Sequence, residues 1–107
     1  MVIFSTQVND SIYDGFMQHL FDKNKELKIR VGKVIQRIRK NSGVTSLNKF
    51  ALEYDIDRGN LSKIERGEVG CSINTAWRII EAAGVRFSDF ARMLEEDLGE
   101  DFKLMDE

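Results

Sequence analysis

Apolar residues fall on helical spacings along most of the chain. Leu27, Val31, Val34, Ile35 and Ile38 recur at intervals of four, three, one and three, which places them on one side of a helix and predicts an amphipathic segment from Lys25 to about Lys40. Upstream, Ile12, Phe16, Met17, Leu20 and Phe21 predict another helical face, interrupted by Gly15 at a cost of about 1 kcal/mol relative to alanine. The opening MVIFSTQV is β-branched and aromatic enough for a short strand or a docked arm.

Downstream the punctuation is sharper. Gly43 suits a left-handed helix end and Ser46 an N-cap, giving a helix over Leu47 to Tyr54 that buries Phe50, Ala51 and Tyr54. Asp57 can cap the next helix, which buries Leu61 and Ile64 and stops at Gly67. Ser72 then caps a helix with Ile73, Ala76, Trp77, Ile80 and Ala83 inward and Gly84 at its end. A last helix, capped by Ser88, runs to about Leu98 with Phe90, Met93 and Leu94 inward. Trp77 is expected to plug the core between these last two helices, and the acidic GEDFKLMDE to fray.

With 107 residues and no proline, this pattern predicts one all-α domain without a separate sensor module. Residues 1–23 read as an N-terminal helix or arm, 24–98 as the five-helix domain and 99–107 as an acidic tail.

Charge changes the picture more than composition does. The net charge is −2, yet residues 1–22 carry −3, residues 23–66 carry +7 and residues 67–107 carry −6. The middle of the chain can therefore present a positive face to a polyanion. Arg30, Lys33, Arg37 and Lys40 share one side of their predicted helix. One cysteine, Cys71, and one histidine, His19, supply neither a disulfide framework nor a zinc-finger spacing, which predicts a reducing, cytoplasmic setting. Cys71 precedes a helix N-terminus, where a thiol pKa can fall. No apolar run is long enough for a membrane span, and the first ten residues hold no lysine or arginine to begin a secretory signal. His19 has no catalytic constellation around it and no glycine-rich phosphate loop is present, so no enzyme, cofactor or metal is expected.

The stretch SLNKFALEYDIDRGNLSKIERGE, residues 46–66 and the two that follow, joins two short helices through a tight turn. Counting from Leu47, the fifth position is Ala51, the ninth Asp55, the tenth Ile56, the fifteenth Leu61 and the eighteenth Ile64. This is the small, turn and apolar order that a helix-turn-helix needs. Together with SINTAWRIIEAAGVRFSDF, it resembles the Cro and phage-repressor type, the lambda-repressor-like helix-turn-helix family, over roughly residues 27–94. Two positions depart from that pattern: Asp55 stands where glycine is usual, and Leu47 where the family often has glutamine.

The resemblance implies a compact five-helix DNA-binding domain whose second motif helix enters the major groove N-terminus first. Arg58 would then read guanine and Asn60 adenine. Gly59 would allow close approach, and Lys63 would join the base-reading set while suiting phosphate better. Ser62 and Arg66 would meet phosphate, as would Ser46, Asn48 and Lys49 at the start of the preceding helix and Arg37 and Lys40 on the basic side. Asp57 reads as a cap and Glu65 as a salt-bridge partner. The family's use of inverted repeats implies a homodimer, with Phe90, Met93 and Leu94 resembling the usual interface and Ile12, Phe16 and Phe21 a second option. For Phe90 the competing assignment is the chain's own core. The expected function is a transcriptional repressor or regulator. The alternative is an antitoxin-like module that takes a protein partner through the N-terminal segment or the acidic tail.

Overall fold

The computed structural model describes residues 7–105, with side chains described from Asp22 to Met105. Among the described residues five helices occur in order: α1 (Gln7–Asn41), α2 (Leu47–Glu53), α3 (Arg58–Glu65), α4 (Ile73–Ala82) and α5 (Phe87–Leu98). No strand occurs among the described residues. The two helices expected on either side of residue 23 are one, since α1 passes through Gly15 and Asp22–Asn24 without a break. The strand-or-arm expectation falls on residues 1–6, outside the described residues; residues 7 and 8 are already helical.

α1 is the strut against which α3, α4 and α5 pack, while α2 packs on α3. Val34, Ile35 and Ile38 of α1 meet Phe50 and Ala51 of α2, Leu61 and Ile64 of α3, Ile79 and Ile80 of α4 and Phe90 of α5 in a single core. At about 25 cal/mol per Å² of apolar surface removed from water, each fully buried isoleucine or leucine here contributes roughly 1.5–3 kcal/mol. Tyr54 is half-buried and its ring leans on Phe50 at 4.9 Å.

The helix starts follow the sequence signals. Ser46 accepts from Lys49 N at 3.2 Å, Asp57 from Asn60 N at 2.8 Å and Ser72 from Thr75 N at 3.1 Å, each satisfying one orphan N–H of a first turn. α5 differs: it begins at Phe87, its cap residue is Arg86, and no side chain caps it, so Ser88 lies inside the helix.

α4 is rotated relative to the expected stripe. Its buried residues are Ala76, Ile79 and Ile80, whereas Trp77 is 54% and Ile73 63% exposed. The helix is apolar around more than half its circumference, so spacing alone selects the wrong edge. The tail also departs from the fraying expected of it: Phe102 N donates to Gly99 O at 3.2 Å, and Lys23 Nζ reaches Lys103 O at 2.7 Å, holding the turn against α1.

Candidate nucleic-acid interface

α2 ends in a tight two-bond turn. Ile56 N donates to Ala51 O at 2.8 Å and Asp55 N to Leu52 O at 3.5 Å, the pairing in which the residue past the helix adopts a left-handed conformation. That residue is Asp55, at φ 55°. Aspartate tolerates this region better than most residues, so the turn forms without glycine. Ile56 then drops into the core, and Asp57 opens α3 at once.

The far end of α3 is pressed onto α1. A Cβ added at Gly32 would meet the Ile64 carbonyl oxygen far inside contact distance and Glu65 O at 2.8 Å; one added at Gly67, at φ 75°, would meet Ile29 Cα at 2.8 Å. Backbone therefore lies on backbone here, which only glycine permits. Arg39 of α1 locks the same junction. Its Nε and Nη2 donate to the two Glu65 carboxylate oxygens at 2.6 and 2.9 Å, and its Nη1 donates to Thr45 O in the loop before α2. Both side chains are almost fully excluded from water, at 4% and 3% exposure. A charge pair in such a place is tolerated because the fork geometry is bidentate and no buried side-chain polar atom among the described residues is left unpartnered. Glu65 is thus the salt-bridge partner expected, although it is buried.

What α3 turns outward is polar. Arg58, Gly59, Asn60, Lys63 and Arg66 are exposed and Ser62 is half-buried. The side chains of Arg58, Asn60 and Lys63 make no hydrogen bond or ion pair among the described residues. Near Gly59 an added Cβ would meet only Asp57 Oδ1, at 3.4 Å. Asn48 and Lys49 are exposed at the start of α2, beside the capping Ser46.

Other expected contacts are already engaged. Arg66 donates to both carboxylate oxygens of Glu68, at 2.6 and 3.2 Å, and to Ser62 Oγ. The hydrogen bonds from Arg66 hold the Glu68 carboxyl below the usual glutamate range, aided by the positive charges of Arg66 and Lys63 and opposed by partial desolvation. Arg37 reaches across to Asp97 of α5 at 3.5 Å, which places it on the α5 side of α1, whereas Gly32 and Arg39 define the α3 side. Lys40 remains exposed. Phe90 is only 6% exposed and belongs to the core, with Met93 and Leu94 packed against that core, so the core assignment for Phe90 is where the side chain lies. The side chains of Ile12, Phe16 and Phe21 lie outside the described residues. Cys71 is half-buried, and burial raises its thiol pKa, the reverse of the reactive thiolate that its place before a helix suggests.

Three residues escaped the sequence reading. Gly32 is a glycine inside a strong helix pattern, the usual mark of a close backbone approach. Arg39 lies seven residues from Gly32, hence on the same line of α1 and off the basic side. Arg78 of α4 donates to Asp55 O at 3.4 Å and shares a shallow groove with Asp57, Asn60, Asn74 and Thr75, so a further guanidinium stands beside the N-terminal end of α3.

These elements define a small all-α domain built around a helix-turn-helix, with the second helix braced from behind and polar in front. No protein-family model matches the chain. Over 72 residues, 67% of its length, the chain is 29% identical to the control protein C.MunI of Mycoplasma sp, and the aligned region covers 97% of that protein. The likeness is to a control protein in general and does not single out the Cro and phage-repressor branch.

Proposed function

We propose that the chain is a sequence-specific double-stranded DNA-binding regulator of transcription, without enzymatic activity, acting as a dimer on an inverted repeat. The observation that carries this reading is the two-sided character of α3. Its inner side is locked by Gly32, Gly67 and the Arg39–Glu65 pair, and its outer side offers Arg58 and Asn60 uncommitted. A braced helix with free donors suits base edges, where a guanidinium binds guanine O6 and N7 together and a carboxamide binds adenine N6 and N7. Asn48 and Lys49 at the start of α2, Lys40 and Lys63 would hold phosphate, with Arg78 added to that set. Arg66 would join them only by exchanging Glu68 for a phosphate. The control function named for the Mycoplasma relative agrees with a regulator. Residues 24–98 would be the DNA-binding unit.

The test is selection of bound sequences from a random duplex pool at roughly 150 mM salt, followed by a salt titration of the winner. Enrichment of an inverted repeat with half-sites about one helical turn apart, roughly 34–36 Å, is the expected result. Weak, salt-sensitive binding that enriches nothing would overturn the reading.

A further inference from the structure

The two ends of α3 are held differently. The C-terminal end is seated on α1 through Gly32, Gly67 and the Arg39–Glu65 pair. The N-terminal end, which carries Arg58, Gly59 and Asn60, is fixed through the turn before it, by Ile56 in the core and by the Asp57 cap. Among the described residues, Asp55 in that turn is the one non-glycine in the left-handed region, at φ 55°. There the Cβ of an L-residue crowds the carbonyl oxygen that follows it, a cost that glycine escapes. Asp55 O is offered no backbone N–H among the described residues, and Arg78 Nη1 is the donor that reaches it, at 3.4 Å. Arg78 stands on α4, whose inner side, Ala76, Ile79 and Ile80, belongs to the core. Its guanidinium thus ties the strained turn to a fixed helix. Asp55 and Asp57 line the same groove as Arg78, so a cation is favoured there.

We infer that Arg78 is a positioning residue: by holding the Asp55 carbonyl it fixes the left-handed turn that glycine would form unaided, and with it the aim of Arg58 and Asn60. Arg58 follows Asp55 by three residues and Asn60 by five, so a shift of the Asp55 backbone carries the start of α3 with it. Base readout tolerates little of this, since a recognition side chain works only within about 0.5 Å of its productive place. Arg78 therefore acts before any DNA is bound. One of its five N–H groups is used on the carbonyl, and the rest stay free for the phosphate contact assigned above. The inference rests on the DNA-binding reading for its purpose, while the turn lock itself is measurable without DNA.

The experiment is a double-mutant cycle of Arg78→Ala and Asp55→Gly in the full chain, read in two ways. Without DNA, hydrogen exchange follows the Ile56 amide, which donates to Ala51 O across the turn. Arg78→Ala should speed its exchange by at least about fivefold while the core amides of Ile35 and Ile80 stay unchanged. Asp55→Gly should cancel most of that increase. With a duplex selected from the random pool, Arg78→Ala should weaken binding about tenfold and flatten discrimination at the pairs read by Arg58 and Asn60. In the Asp55→Gly background the same change should cost only about twofold to threefold, the share of the phosphate contact. Unchanged Ile56 exchange in Arg78→Ala would overturn the proposal. So would an equal binding loss in both backgrounds with discrimination kept and the salt slope reduced by about one, which leaves Arg78 on phosphate alone. If the exchange cycle holds while the pool enriches nothing, the turn lock stands and the DNA reading falls.

Discussion

Two arginine–glutamate pairs bracket the end of α3, and they have the same chemistry with opposite consequences. Arg39–Glu65 spans two helices that are distant in sequence and excludes water, whereas Arg66–Glu68 joins near neighbours and is about half exposed on both sides. In the first, the surroundings supply no substitute for a lost partner; in the second, water and counterions do so at once. Burial and span, rather than bond length, decide which pair holds the fold. The inner pair sets where α3 stands, and the outer pair sets how much of its positive charge is left uncommitted.

Arg39→Ala is therefore expected to have the largest effect. It strands the Glu65 carboxylate, and a loss of about 3–5 kcal/mol in chemical unfolding is expected. Replacing both partners together, as Arg39→Met with Glu65→Leu, should recover much of that loss, which would separate burial from charge as the cause. Gly32→Ala comes next. The new methyl meets the carbonyls of Ile64 and Glu65, and a loss of about 1–3 kcal/mol from overpacking is expected in the same assay, accompanied by weaker DNA binding as α3 is displaced. A smaller effect, about 1 kcal/mol, is expected for Asp57→Ala, which removes the acceptor for Asn60 N.

Glu68→Gln sharpens the contrast at the other extreme. The melting midpoint should barely move, while duplex binding should tighten and the slope of log K against log salt should steepen by about one as Arg66 becomes available to phosphate. The pH dependence follows the same logic. A carboxyl whose folded pKa is depressed contributes above its unfolded pKa and loses that contribution as pH falls through the folded value. Since Glu68 is held below the ordinary glutamate range, the pair should persist through neutral pH. It should open only in acid, seen as a shift of the Glu68 carboxyl resonance in an NMR titration.

Short-range chemistry was readable in the residues themselves. The caps at Ser46, Asp57 and Ser72 and the left-handed turn at Asp55 each depend on a few neighbouring residues, and all four occur where expected. The order of the helices and the outward polar side of α3 follow from those stops and starts. What escaped depends on distance or degeneracy. Arg39 and Glu65 are 26 residues apart, so the line that Arg39 shares with Gly32 marks a side of α1 without naming the partner that meets it there. For Trp77 the pattern is degenerate, because α4 offers apolar residues on both edges of its buried stripe, and only the packing of α1 and α5 chooses between them. Ser88 is a plausible cap from its type alone, but α5 starts at Phe87, two residues earlier than a Ser88 cap would allow, and Phe87 is held by its contacts with Trp77 and Phe90.

The central claim is that α3 reads bases through Arg58. The most direct measurement is the affinity of wild type and Arg58→Ala for a selected duplex and for every single base-pair change within one half-site. A loss of about 1–3 kcal/mol on the preferred site, with discrimination collapsing at one base pair and surviving elsewhere, is the expected result. An equal loss on every sequence would contradict the claim and reassign Arg58 to the phosphate backbone.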